Sequence, residues 1–230
     1  MNYTIQDLAN LSNEKIRQLD SIAHNLANAA TPGFKAQYLH IRAAEPSRFA
    51  DVLQNIDHSQ GALEHTGNAL DVALQGEGFF AVQTGDGVAY TRRGNFLLNA
   101  KQELVTDGGM AVLGEGGRIT ARGADVRIDG TGSVIVDGSA GDKLKIVRFA
   151  KPSALKKRGD GLFVDPGEAA PKKAEETRIA PGHLERSNIP VVEQMVAMIE
   201  VQRTFETYTK LIQNLSDLDR LSTNRVGKLV

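Results

Sequence analysis

Apolar residues at the two ends of the chain recur with helical spacing, whereas those of the centre come in short runs cut by turns. Positions 5, 8, 12, 15, 19, 22 and 26 alternate steps of three and four residues. They hold Ile5, Leu8, Ser12, Lys15, Leu19, Ile22 and Leu26, a heptad seam with a polar interruption in its middle. Ala23, Ala27, Ala29 and Ala30 add small helix-forming side chains. Thr31-Pro32-Gly33 writes the stop, because Pro32 disfavours the α conformation at Thr31 and Gly33 accepts dihedrals that other residues resist. Near the other end, Met198, Val201, Phe205, Tyr208, Ile212 and Leu215 fill every position of a second seam, and Leu211, Leu218 and Leu221 widen it. Ser187 and Asn188 stand where a helix cap is expected, with Pro190 in the first turn and Glu193 after it. A helix of about 35 residues would be about 50 Å long. The pattern allows two outcomes: an antiparallel pair packed on the chain's own core, or a coiled-coil face for assembly.

The centre reads as β. Phe79–Val82, Val88–Thr91, Asn95–Leu98 and Leu104-Val105 are short apolar or alternating runs. Between them lie Gly76-Glu77-Gly78, Gly85-Asp86-Gly87, Asn99-Ala100-Lys101 and Asp107-Gly108-Gly109, which are hairpin turn signals. Further strands are expected over 125–129, 133–137 and 143–149, and 152–181 reads as a less regular stretch holding a long surface loop. Glycine usage supports the division: of 23 glycines, 22 fall between Gly33 and Gly182 and the last is Gly227. The expected fold is therefore α+β: a discrete antiparallel β domain, sandwich-like or barrel-like, flanked by long N- and C-terminal helices that pair as a coiled coil.

Composition removes several classes of function. The formal net charge is −1, with no concentrated basic face, so nucleic acid is not an expected partner. The absence of cysteine excludes disulfides, thiolate metal sites and cysteine nucleophiles. Tryptophan is absent and aromatics are 5%, which disfavours a glycan-binding groove. The most apolar run, Val191–Val201, is broken by Glu193, Gln194 and Glu200, so no membrane insertion is expected. Asp7, Glu14 and Asp20 interrupt the N-terminal pattern, which lacks the basic start and apolar middle of a cleaved signal peptide. His24, His40, His58, His65 and His183 show no metal-ligand spacing. No phosphate loop, dinucleotide fingerprint or nucleophile elbow occurs, so neither a cofactor nor a catalytic site is expected.

Four blocks in order carry a resemblance. Ser21–Lys35, which contains Asn25-Leu26-Ala27-Asn28-Ala29-Ala30-Thr31-Pro32-Gly33-Phe34, resembles the N-terminal signature of flagellar rod and hook proteins. His24 departs from it, standing where the family more often has Asn. Gly76-Glu77-Gly78-Phe79-Phe80-Ala81-Val82 and Tyr90-Thr91-Arg92-Arg93-Gly94-Asn95-Phe96 resemble that family's central blocks. Leu104-Val105-Thr106 with Gly108-Gly109 continues them. Gly182–Asn188 and Met198–Glu206 resemble its C-terminal blocks. Among its branches, the short centre is most similar to the proximal-rod proteins.

The resemblance implies a structural rod subunit of the bacterial flagellar basal body, not an enzyme. It implies helical assembly with copies of itself and with other rod subunits, in a periplasmic rod that carries torque and the export channel. It also implies delivery by the flagellar type III export apparatus without a cleaved signal peptide. Expected divisions are an N-terminal helix of the rod core over 1–34, an extended connector over 35–75, a β-rich outer domain over 76–181 and a C-terminal helix over 182–230. The residues expected at assembly contacts are Leu19, Ile22, Asn25, Leu26, Asn28, Thr31, Pro32, Gly33 and Phe34, with Met198, Val201, Phe205, Tyr208, Ile212 and Leu215. Asn25 and Asn28 share a helical face, either to end the helix by local hydrogen bonds or to fix the register between subunits. Phe34 is expected to anchor the chain where it leaves the helix. A distal-rod or hook role stays open, as does a β-domain binding module or enzyme with a helical oligomerisation stalk.

Overall fold

The computed structural model describes residues 5–42, 51–174 and 176–226. Residues 43–50 of the expected connector, and 1–4 and 227–230 at the two ends, lie outside the described residues. Two compact units emerge. One contains both helices with the strand pair beside them, 1–27, 37–54 and 190–230; the other contains 28–36 and 55–189.

The helical unit is built on α1 (Ile5–Ala27) and α2 (Val191–Val226). At 36 residues α2 spans about 54 Å, against about 35 Å for the 23 residues of α1. The two helices contact each other, and α1 also packs on β1 (Gln37–Arg42), which pairs with β2 (Asp51–Ile56). α1 ends four residues before Thr31: the Thr31 and Phe34 N–H groups bond the Asn28 and Thr31 carbonyls in successive turns, so Ala29 and Ala30 are not helical.

The second unit is antiparallel throughout its described pairings. β3 (Leu63–His65) and β4 (Val72–Gln75) precede the central pair β5 (Phe79–Thr84) and β6 (Gly87–Thr91). Next come β7 (Phe96–Leu98), β8 (Leu104–Thr106), β9 (Ala111–Gly114) and β10 (Gly117–Arg118). β11 (Val126–Ile128), β12 (Ser133–Val136) and β13 (Ser139–Lys143) form a separate three-stranded sheet. β14 (Ile146–Phe149), β15 (Lys156–Arg158), β16 (Leu162–Val164) and β17 (Pro171–Lys173) join the main sheet of ten strands, with the path β15-β16-β6-β5-β9-β8-β7. β18 (Arg178–Pro181) pairs with β4, and β19 (His183–Glu185) pairs with β3.

Adjacent side chains on a strand face opposite ways, so Phe79 and Phe80 of β5 enter two different cores. Phe80 packs edge-on to Phe96, ring centres 5.2 Å apart, with Val72, Leu74 and Ile119 around it. Phe79 meets Phe163 and Phe149 at 5.5 and 5.7 Å, closed by Val147 and Leu155. That double burial is why Phe79–Val82 reads as a continuous apolar run.

Two expectations are corrected here. Among its described residues the stretch 152–181 holds no long loop: β15 to β18 divide it into short connections. Lys156-Lys157-Arg158 carries no apolar alternation, because at the end of the sheet path its order comes from backbone pairing with β16. Likewise 143–149 is not one strand. The chain leaves β13 at Lys143, and β14 starts at Ile146 in the other sheet, against β5.

Candidate functional site

In the helical unit, Asn25 fastens the end of α1. Buried, it donates from Nδ2 to the Gln37 carbonyl at 2.8 Å and accepts the Gln37 N–H at 3.0 Å. The same Nδ2 reaches Gln194 Oε1 at 3.3 Å, which sets the C-terminal end of α1 beside the N-terminal end of α2, so the helices run antiparallel. Seam positions Leu8 and Ser12 are buried, and Lys15, Leu19, Ile22 and Leu26 are half-buried. On α2, Met198, Val201, Phe205, Tyr208, Ile212 and Leu215 are all half-buried. Lys15 turns its ammonium to Gln18 Oε1, one turn along its own helix, at 3.0 Å.

The remaining expected residues lie in the β unit, where distant parts of the chain meet. Asn28 and Thr31 form the turn just after α1, and Pro32 follows half-buried. Gly33, at φ +65°, gives its N–H to the Glu185 carbonyl at 2.6 Å. A Cβ there would lie 2.6 Å from the Arg92 and Arg93 backbone, so the crossing admits glycine alone. Phe34 is buried beneath Lys157, whose Nζ lies 3.7 Å from its ring centre.

Glu185 is the hub of this junction. Its Oε1 meets Lys35 Nζ at 2.6 Å and accepts the Gly61 N–H at 3.0 Å. Its Oε2 lies 3.1 Å from Arg92 Nε. All three side chains are buried, at 3% exposure or less. Arg92 also donates to the Gly78 and Gly76 carbonyls, each at 2.8 Å, which holds the turn before β5. Burial pulls the Lys35 pKa down, and the Glu185 carboxylate opposes that. Asn188 completes the knot: it accepts the Ala36 N–H at 2.8 Å and donates to the Asp57 carbonyl at 2.9 Å. It is therefore not the cap of α2, whose first bond runs from the Gln194 N–H to the Pro190 carbonyl. The expected capping role of Ser187 and Asn188 fails because the helix starts at Val191, beyond both residues, and Asn188 is taken up by the junction.

His58 lies against Phe79 and Phe163, ring centres 5.8 and 5.4 Å away. Burial, and then the nearby Lys35 charge, lower its pKa from 6.5 to about 4. The unfolded chain therefore takes up a proton that the folded chain refuses as pH falls from about 6.5 towards about 4. Stability should drop across that window, by on the order of 2 kcal/mol after allowing for the ring's partial exposure. His58→Phe should flatten this part of the profile, read as denaturant midpoints at about pH 7 and about pH 4.5.

Among the described residues no helix is long and apolar enough to cross a membrane, and no cluster of three His, Cys, Asp or Glu side chains could hold a metal. The sequence blocks contain Lys35, Arg92, Glu185 and Asn188, but nothing in their spacing signals that they meet across some 150 positions. Gln194, the partner of Asn25, carries no sequence signal either.

Residues 73–136 match the family described as the flagellar hook protein FlgE/F/G D1 domain. Residues 180–225 match the flagellar basal body rod FlgEFG protein C-terminal family. Two terminal helices, an antiparallel β unit and these matches define a structural protein of the bacterial flagellum, not an enzyme. The chain is 34% identical to the flagellar basal-body rod protein FlgF of Caulobacter vibrioides, over 93% of both chains. It is 34% identical to FlgF of Salmonella typhimurium, over 94% of this chain and 95% of that one. To FlgG of Bacillus subtilis it is 31% identical, over 87% and 90%. The chain belongs to the flagellar basal-body rod protein family and is FlgF-like. It is a structural subunit of the basal-body rod, where membership of the family implies assembly with other rod and hook components.

Proposed function

We propose that this subunit assembles helically through its terminal helices, with copies of itself and with neighbouring rod subunits, into a periplasmic rod that carries torque and the export channel. The observation that carries this reading is a second apolar face on α2. Val192, Met195, Val196 and Ile199 repeat at helical spacing and are 75, 53, 52 and 53% exposed. Leu211, Leu218 and Leu221 are exposed further along the same helix. A helix that keeps one seam half-buried within its own chain and a second apolar stripe in water is suited to packing against other subunits. An open heterologous contact of that kind repeats into a filament.

In this reading Leu19, Ile22 and Leu26 join Met198, Val201, Phe205, Tyr208, Ile212 and Leu215 in a coiled-coil pair. Asn25, Asn28 and Thr31 to Phe34 hold the helix end at its place in the assembly. The rod core comprises 1–34 and 182–230, the connector 35–75 and the outer domain 76–181. Export runs through the flagellar type III apparatus without a cleaved signal peptide, and the helix pair, the less stable part of the free subunit, is stabilised further on assembly. Limited proteolysis of the free subunit checks the last point, with the ends expected to be cut well before the β unit.

Deleting the gene tests the role: basal bodies in electron micrographs should end at a truncated rod, and motility should be lost. Complete rods lacking hooks would instead indicate a hook role.

A further inference from the structure

A pair of histidines outside the junction lies close enough to share one metal ion. His65 on β3 stands directly opposite His183 on β19 in the antiparallel register. Their ring centres are 4.7 Å apart and the rings are tilted by 59°. Metal–nitrogen bonds of about 2.1 Å would put each ring centre roughly 3.2 Å from a shared ion. Centres 4.7 Å apart then subtend about 95° at that ion, between the octahedral and tetrahedral angles.

The tautomer is also settled on one side. His183 Nδ1 lies 2.7 Å from the Pro181 carbonyl oxygen. A carbonyl only accepts, so Nδ1 carries the hydrogen and Nε2 keeps its lone pair for a ligand. A backbone carbonyl on the far nitrogen is the arrangement that orients metal-bound imidazoles.

The backbone around the pair is held in place. Thr66 and Gly67 both donate N–H groups to the Gly182 carbonyl, at 2.8 and 3.2 Å, and the Gly182 N–H reaches the Asp71 carbonyl at 2.8 Å. His65 is exposed and His183 half-buried, so an ion can reach the pair from solvent and keep water in its other positions.

We propose that His65 and His183 chelate one borderline divalent transition-metal ion, of the Cu2+, Ni2+ or Zn2+ class, and that the ion staples β3 to β19. Two neutral imidazoles suit these ions and not Mg2+ or Ca2+, which favour oxygen ligands. The staple closes the strand pair whose second strand carries Glu185, next to the junction but outside it.

The test is calorimetric titration of the full, untagged chain with Cu2+, Ni2+, Zn2+ and, as a control, Mg2+. One transition-metal ion per chain is expected, Cu2+ tighter than Ni2+ or Zn2+, with no Mg2+ binding. Groups that only hydrogen-bond to a metal-bound imidazole are worth roughly 10–100-fold in affinity, so His65→Gln and His183→Gln, which remove a ligand itself, should each weaken binding by at least about tenfold. His24→Gln should leave it unchanged. In the unsubstituted chain, substoichiometric Cu2+ should broaden the imidazole resonances of His65 and His183 together and spare those of His58. Absence of saturable binding, binding that survives either substitution, or broadening of only one ring of the pair would overturn the proposal.

Discussion

Glu185→Gln is expected to lower the stability of the β unit by about 3–5 kcal/mol, the usual cost of removing one partner from a buried ionic cluster. Lys35→Met should cost clearly less. The asymmetry follows from the charge count: the junction holds two cations, Lys35 and Arg92, around one carboxylate. Losing Lys35 leaves a matched buried pair, Arg92 with Glu185, whereas losing the Glu185 charge leaves two buried cations facing each other. Burial already depresses the Lys35 pKa, and Glu185 is what opposes that effect. In the Glu185→Gln variant, Lys35 should therefore release its proton more readily in the folded state than in the unfolded one. The unfolded state then binds more protons, so the variant should recover stability as pH rises above neutral. Chemical denaturation of both variants at two pH values measures all three expectations. Equal losses for Glu185→Gln and Lys35→Met would refute the charge-count explanation.

Met195→Glu combined with Ile199→Glu is expected to abolish rod assembly, and motility with it, while the free subunit melts as before. Both side chains are more than half exposed on α2, and surface substitutions usually stay within about 0.5 kcal/mol. Two carboxylates in a contact between subunits would instead be desolvated without partners. Val201→Glu makes the comparison: at a half-buried seam position it should destabilise the free subunit as well. Complementation of a deletion strain, with melting of each purified variant, separates the two faces. Motile cells carrying the Met195→Glu, Ile199→Glu variant would remove the second face from the assembly surface.

The helices were legible because their signal is local and periodic. Seven spaced positions before Thr31 and six from Met198 onward were enough to place α1 and α2, and glycine usage separated them from the β centre. The apolar strands β5 to β8 were legible for the same reason. β15 and β17, made of Lys156-Lys157-Arg158 and Pro171-Lys172-Lys173, were not, since their order comes from backbone pairing with a neighbouring strand. Of the expected site residues, Asn25 and Phe34 could be singled out from their motif. Their partners Gln194 and Lys157 could not, because contacts between residues so far apart in the chain, 169 positions for Asn25 and Gln194, leave no spacing to read.

By itself the sequence determined the class of fold, the two apolar seams and the kinship with flagellar rod proteins, all of which rest on short-range pattern. Only the tertiary structure decided that Gly33, Lys35, Arg92, Glu185 and Asn188 form one buried junction, and that α2 keeps a second apolar face in water. Burial and charge pairing arise from segments far apart in the chain, and only folding decides which of them meet.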